Sequence, residues 1–276
     1  MIRRGGIDGF PTIELHSDAL RVIVVPSLGG RVVSLFDHRT GREWMWHPGS
    51  ELRLFANDPR DDFAKSPLAG WDECVPTVNP CVWRGRNLPD HGELWPLAWR
   101  EDGDALTVDF PVSPLRLRRN LTLAGEVLTA AYELSNLGAE LEPVLWAMHP
   151  LFTIHPGDHI QLAPGASAEL GAPAWLDTLD VSDRTPACVK TFVSAAHGAT
   201  ASIISATTGT LTLSWDADWA THLGLWLSRG GWNGYHQLAL EPTTGACNDP
   251  TESDALPVVQ PGETRRWSVS IKVSQA

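Results

Sequence analysis

Apolar residues along this chain recur at every second position far more often than at helical spacing. Leu211, Leu213 and Trp215 fall on one face of an extended segment. Trp267, Val269, Ile271 and Val273 do the same, with Arg266, Ser268, Ser270 and Lys272 between them. Leu128, Ala130, Tyr132 and Leu134 form a third set, and the residues from Leu115 hint at the strand before it. Alternation with a period of two marks strands with one face on a core and one in water. Few windows of ten or more residues carry an i, i+3, i+4, i+7 stripe free of Gly and Pro.

Turn chemistry separates the alternating segments. Gly29-Gly30, Arg39-Thr40-Gly41, Asp102-Gly103-Asp104, Ala124-Gly125-Glu126 and Pro261-Gly262 all read as turns. The segments flanking Gly125 predict an antiparallel hairpin, about 115–123 and 126–136. Many short antiparallel strands imply an all-β protein, a large antiparallel β-sandwich, with helix confined to short pieces. No tandem repeat or linker divides residues 1–276, which predicts one domain. The longest stretch without clear strand character runs from about 47 to 95, and a long loop in a compact domain is usually functional.

Composition narrows the partners. The formal net charge is -12, a field that repels nucleic-acid phosphates and anionic lipid and leans toward a neutral small ligand. Thirteen tryptophans stand against two tyrosines. Cys74, Cys81, Cys188 and Cys247 match no zinc spacing and no dense disulfide framework, so buried free thiols are expected. The N-terminus has basic residues but no apolar stretch after them, and no run is long enough to span a membrane. A cytoplasmic protein is the expectation.

Four segments concentrate groups able to do chemistry. His149 follows the apolar run Pro143 to Met148, and Glu241 follows Leu238-Ala239-Leu240. A carboxylate at the end of a core strand needs a partner or a task, because Glu is almost never fully buried alone. A histidine there is either a hydrogen-bonded core group or one presented to a cleft. His91 lies in a Pro-Asp-His-Gly turn, and Asp72 and Glu73 form an acidic pair next to Trp71 in the long loop region. Taken singly, these read equally well as a surface turn and a solvated loop face.

Together, and in order, the segments resemble the aldose 1-epimerase (galactose mutarotase-like) family, including its hexose-6-phosphate epimerase branch. The resemblance rests on the opening Val25-Pro26-Ser27-Leu28-Gly29-Gly30, the turn His91-Gly92, His149-Pro150-Leu151-Phe152, Leu240-Glu241, and the closing Pro261-Gly262-Glu263. It implies a β-supersandwich with an open sugar cleft, a small-molecule sugar as ligand, and no metal or organic cofactor. It implies Glu241 as the base on the C1 hydroxyl and His149 as the acid on the ring oxygen, converging on one cleft. A carboxylate and an imidazole suit a reaction whose proton transfers must reverse. His91 would bind a sugar hydroxyl and stabilise negative charge.

The sequence also departs from the family. Leu151 replaces the tyrosine of the common His-Pro-Tyr-Phe. Trp71-Asp72-Glu73 is not a usual feature, and these three residues are expected to supply part of the sugar grip. Trp71 or Trp95 should line the cleft. The acidic sugar ligand of the family fits Asp180 best, with Asp177 and Asp218 as rivals. Two other readings stay open: a non-catalytic sugar-binding protein on the same sandwich, and an epimerase of a phosphorylated sugar. The second needs an arginine cluster, for which Arg53, Arg60, Arg84 and Arg86 are available.

Overall fold

The computed structural model describes residues 1–58, 63, 66, 69–166, 186–253 and 255–276. The larger sheet contains, in spatial order, β1 (Ile2–Ile7), β2 (Phe10–His16), β3 (Leu20–Val25), β4 (Arg31–Asp37), β6 (Trp71–Cys74), β14 (Ala147–Thr153), β20 (His236–Thr243), β19 (His222–Arg229) and β16 (Ala187–Ser194). The short β5 (Arg42–Glu43) pairs with β4 off this path. The second sheet runs β15 (His159–Leu162), β17 (Thr200–Ser205), β18 (Gly209–Trp215), β22 (Thr264–Ser274), β12 (Val127–Asn136), β11 (Leu115–Ala124), β10 (Ala105–Asp109) and β9 (Arg100–Asp102). Two ribbons complete the set: β13 (Glu142–Pro143) with β21 (Val258–Val259), and β7 (Cys81–Trp83) with β8 (Arg86–Leu88). Neighbouring strands pair antiparallel throughout. Among the described residues, helices include the short 3-10 turns Ala195–His197 and Pro250–Glu252. None is long and apolar enough to cross a membrane.

The two sheets share one core. Val22, Leu35, Met148, Phe152, Leu225 and Leu240 of the larger sheet join Leu117, Leu128, Leu134, Leu213, Val269 and Ile271 of the smaller. Burying a side chain of this size stabilises the fold by about 1.5–3 kcal/mol. The alternating patterns of the sequence lie on β18, β22 and β12, with their apolar members inward. The predicted hairpin is β11–β12, in register from Leu115↔Asn136 to Ala124↔Val127. Gly125 takes φ 57° in its turn, the left-handed conformation in which glycine carries no steric cost.

Three segments differ from the sequence reading. The stretch 47–95 is not one loop, because β6 lies within it, near the middle of the larger sheet. Asp72 and Glu73 look like a solvated face in sequence, yet both are buried, because arginines from other strands meet them. His149 and Glu241 do not end their strands; each lies inside one. The four cysteines are free thiols, with Cys74 and Cys247 buried but Cys188 exposed.

Candidate functional site

Alternation along β14 and β20 sends neighbouring side chains to opposite faces of the larger sheet. Met148, Phe152, Leu238 and Leu240 enter the shared core. His149, Leu151, Gln237 and Glu241 face the other way and line a cavity of about 330 Å³. The β14–β20 ladder pairs Ala147 with Thr243 and Leu151 with Ala239, with no pairs recorded between them. The interrupted stretch contains Pro150 and Pro242, which lack the N–H a ladder needs. The register is the same on both sides of the gap, which sets His149 opposite Glu241. On the other flank of β14, His149 pairs with Asp72, and on the other flank of β20, Glu241 pairs with Gly224. One row across the sheet therefore reads Asp72, His149, Glu241, Gly224.

The polar atoms of this row are tightly enclosed. His149 is 6% exposed and Glu241 1%. Nε2 of His149 stands 3.8 Å from Oε1 of Glu241. Oε1 and the His149 Nδ1 have no hydrogen-bond partner among the described residues. Oε2 of Glu241 accepts a hydrogen bond from Nζ of Lys190 at 3.2 Å. Burial pushes the Glu241 carboxyl up, but the Lys190 ammonium beside it holds it below its usual range. Burial lowers His149 to about 3, with the Glu241 charge only partly opposing it. The cleft thus holds a carboxylate facing a neutral imidazole.

His91 closes this cavity from a turn. Its ring packs edge-to-face on His149 at 5.2 Å and stacks on Phe63 at 3.9 Å. Its Nδ1 lies 2.9 Å from the Asp90 carboxylate, which fixes the ring. The turn is held by His91 N–H donating to Val78 O and Glu93 N–H donating to Val75 O. Gly92 has φ 79°, and a Cβ there would come within 2.3 Å of Val75 O, so only glycine fits. Asp72 ends the row, its Oδ1 accepting from Arg31 Nε at 2.9 Å. Burial raises its carboxyl pKa against that guanidinium.

The remaining expected site residues go elsewhere. Glu73 points between the sheets, where it accepts from Trp71 Nε1, Arg119 Nη1, Tyr132 Oη and Trp146 Nε1 at 2.8–3.0 Å. One residue along β6 from Asp72, it is on the opposite face, so it is a core carboxylate rather than a sugar ligand. Trp71 is buried in the same core and Trp95 is buried behind Phe63, so neither lines the cavity. Asp218 lies in the exposed turn after β18, its backbone N–H bonded to Asp216. Asp180 and Asp177 lie outside the described residues.

Of the arginines, Arg84 and Arg86 pair with Glu142, Arg53 pairs with Asp8, and Arg60 is outside the described residues. Among the described residues, Lys190 is the one Lys or Arg lining the cavity. The sequence reading missed Lys190, Trp226, Trp232 and Asp90, all of which line it. Only Lys190 had a visible signal: it is one of three lysines in the chain and sits mid-strand. No group of three or more His, Cys, Asp or Glu that could hold a metal ion occurs among the described residues.

Solved structures share this architecture. The fold is that of the galactose mutarotase-like proteins. A galactose mutarotase-like protein from Clostridium acetobutylicum superposes with a TM-score of 0.72 at 14% identity, covering 100% of this chain and 99% of that one. An Escherichia coli protein provisionally assigned as an aldose 1-epimerase gives 0.67 at 19% identity, over 95% and 98%. A Klebsiella pneumoniae protein of the same provisional assignment gives 0.75 at 15% identity, over 98% and 81%. No protein-family model matches the sequence, and no curated protein matches it.

Proposed function

We propose that this protein is an aldose 1-epimerase that interconverts the α and β anomers of a free aldose by acid/base ring opening. The observation that supports it best is the row on the face of the larger sheet turned away from the shared core. There the unpartnered Oε1 of Glu241 faces Nε2 of His149 at 3.8 Å inside a cavity. Glu241 takes the proton from the C1 hydroxyl. As the C1–O5 bond breaks, O5 receives a proton from His149. Rotation about C1–C2 turns the other face of the aldehyde to the cleft. The ring then closes with the roles reversed, His149 taking the O5 proton and Glu241 returning one to the C1 oxygen.

The electrostatics fit the base better than the acid. Glu241 is already ionised, whereas burial keeps His149 neutral. To act as the acid, His149 must first take up a proton from water, a step that burial opposes and the Glu241 carboxylate favours. His91, pinned by Asp90, serves as a hydrogen-bond partner for a sugar hydroxyl. A free aldose fits better than a phosphorylated one, because no arginine lines the cavity among the described residues.

Anomer exchange followed by proton NMR over free aldoses and aldose 6-phosphates tests this reading. A free aldose should exchange well above its spontaneous rate. Glu241→Gln should lose about 10²–10⁴-fold while sugar binding largely survives. Wild-type exchange at the spontaneous rate for every sugar would leave a sugar-binding protein.

A further inference from the structure

Glu241 has two oxygens with different surroundings, and the difference originates two strands away. Lys190 lies on β16, separated from β20 by β19. It pairs with Trp226, whereas the residue that pairs with Glu241 across β19 is Gly224, itself opposite Phe192. Lys190 therefore reaches its carboxylate diagonally, over position 224. Its Nζ passes 5.8 Å from the Phe192 ring centroid and ends 3.2 Å from Oε2.

Gly224 makes that path available. Glycine weakens a strand interior and usually marks a place where other atoms approach the backbone closely. No turn geometry requires it here, since its φ is not among the positive values. A Cβ at 224 would lie 3.1 Å from Glu241 Oε2 and 3.3 Å from Glu241 Cβ. That is the space the Glu241 side chain occupies, beside Phe192 Cε1 at 3.5 Å.

The pairing divides the labour of the carboxylate. A carboxylate that is 1% exposed does not stay ionised without a partner. Lys190 provides that partner on Oε2 and leaves Oε1 free toward His149 and the cavity. We propose that Lys190, passing over Gly224, is a positioning residue that binds one oxygen of Glu241 and keeps the other as an ionised, aimed base. This rests on the epimerase reading for its purpose but not for its test.

The test follows the Glu241 carboxyl carbon by NMR in protein labelled with carboxyl-carbon-13 glutamate, assigned with Glu241→Gln. An opposite charge at this range lowers a carboxyl pKa by about 1–3 units. In Lys190→Met the Glu241 titration should therefore move up by about that much. The acid limb of kcat/KM for anomer exchange should move up with it, since Glu241 must be ionised to act. Lys190→Arg should restore part of both. Gly224→Ala, which crowds Glu241 Oε2 away from its place beside Lys190 while leaving the lysine intact, should shift the same titration upward by less. A merely structural ion pair would shift the titration through linkage but leave the acid limb of kcat/KM in place. An unchanged Glu241 titration in folded Lys190→Met overturns the proposal. If that variant does not fold, an unchanged titration in Gly224→Ala overturns it instead. Wild-type exchange at the spontaneous rate would remove the epimerase reading while the titration still decides the role of Lys190.

Discussion

At the scale of the residue, Asp72 and Glu73 show how much one step along a strand decides. They are the same chemistry at adjacent positions, and both are buried. Asp72 shares a face and a register position with His149, whereas Glu73 enters the core. A sequence shows the acidic pair but not which carboxylate faces which way, because that needs the strand and its pairing. Glu73 has a structural task that can be measured. Four donors converge on it, including the guanidinium of Arg119, whose side chain is fully buried. Glu73→Ala strands that charge and should cost about 3–5 kcal/mol of stability, read from urea unfolding. A loss under about 1 kcal/mol would mean that the guanidinium finds another partner or water.

At the scale of the element, the legible strands are those with one wet face. β11, β12, β18 and β22 alternate clearly because their sheet has solvent on one side. β6, β14 and β20 are covered on both faces, so their polar members look like strand ends or loop residues. Pro150 and Pro242 reinforce that error, since proline normally marks a boundary; here both fall where the β14–β20 ladder is interrupted. The residues of the His91 turn read alone as a surface turn, and only the family resemblance put His91 at the cleft. Its position depends on the backbone of residues 75–78, which Gly92 approaches too closely for any side chain. Gly92→Ala should therefore displace His91. We expect sugar affinity and exchange to fall about tenfold or more, the equivalent of about 1.4 kcal/mol. Isothermal titration and the exchange assay would measure both, and wild-type values for a folded variant would detach His91 from the sugar.

At the scale of the whole molecule, the tryptophans divide between the two faces of the larger sheet. Trp44, Trp71, Trp99, Trp146, Trp215, Trp219 and Trp267 belong to the core shared by the sheets. Trp46 and Trp95 pack on the opposite face with Leu151 and Ala239, and the partly buried Trp226 and Trp232 pack against them. The excess of tryptophan was visible in composition, but its division was not, because it follows from strand parity and from a turn. Trp226 projects from β19 beside Lys190, its register partner, and Trp232 lies in the turn between β19 and β20. The two rings meet edge-to-face at 6.0 Å and both line the cavity. An indole can lie on the apolar face of a sugar ring, and among the described residues these two tryptophans line the cavity. A cognate sugar should therefore change tryptophan emission through Trp226 and Trp232, and a Trp226→Phe, Trp232→Phe double variant should lose most of that change. Trp95→Phe, which alters a buried ring behind Phe63, should keep it. The reverse pattern, with the signal surviving the double variant and lost in Trp95→Phe, would move the sugar away from the row of Glu241 and His149 and toward the 89–95 turn.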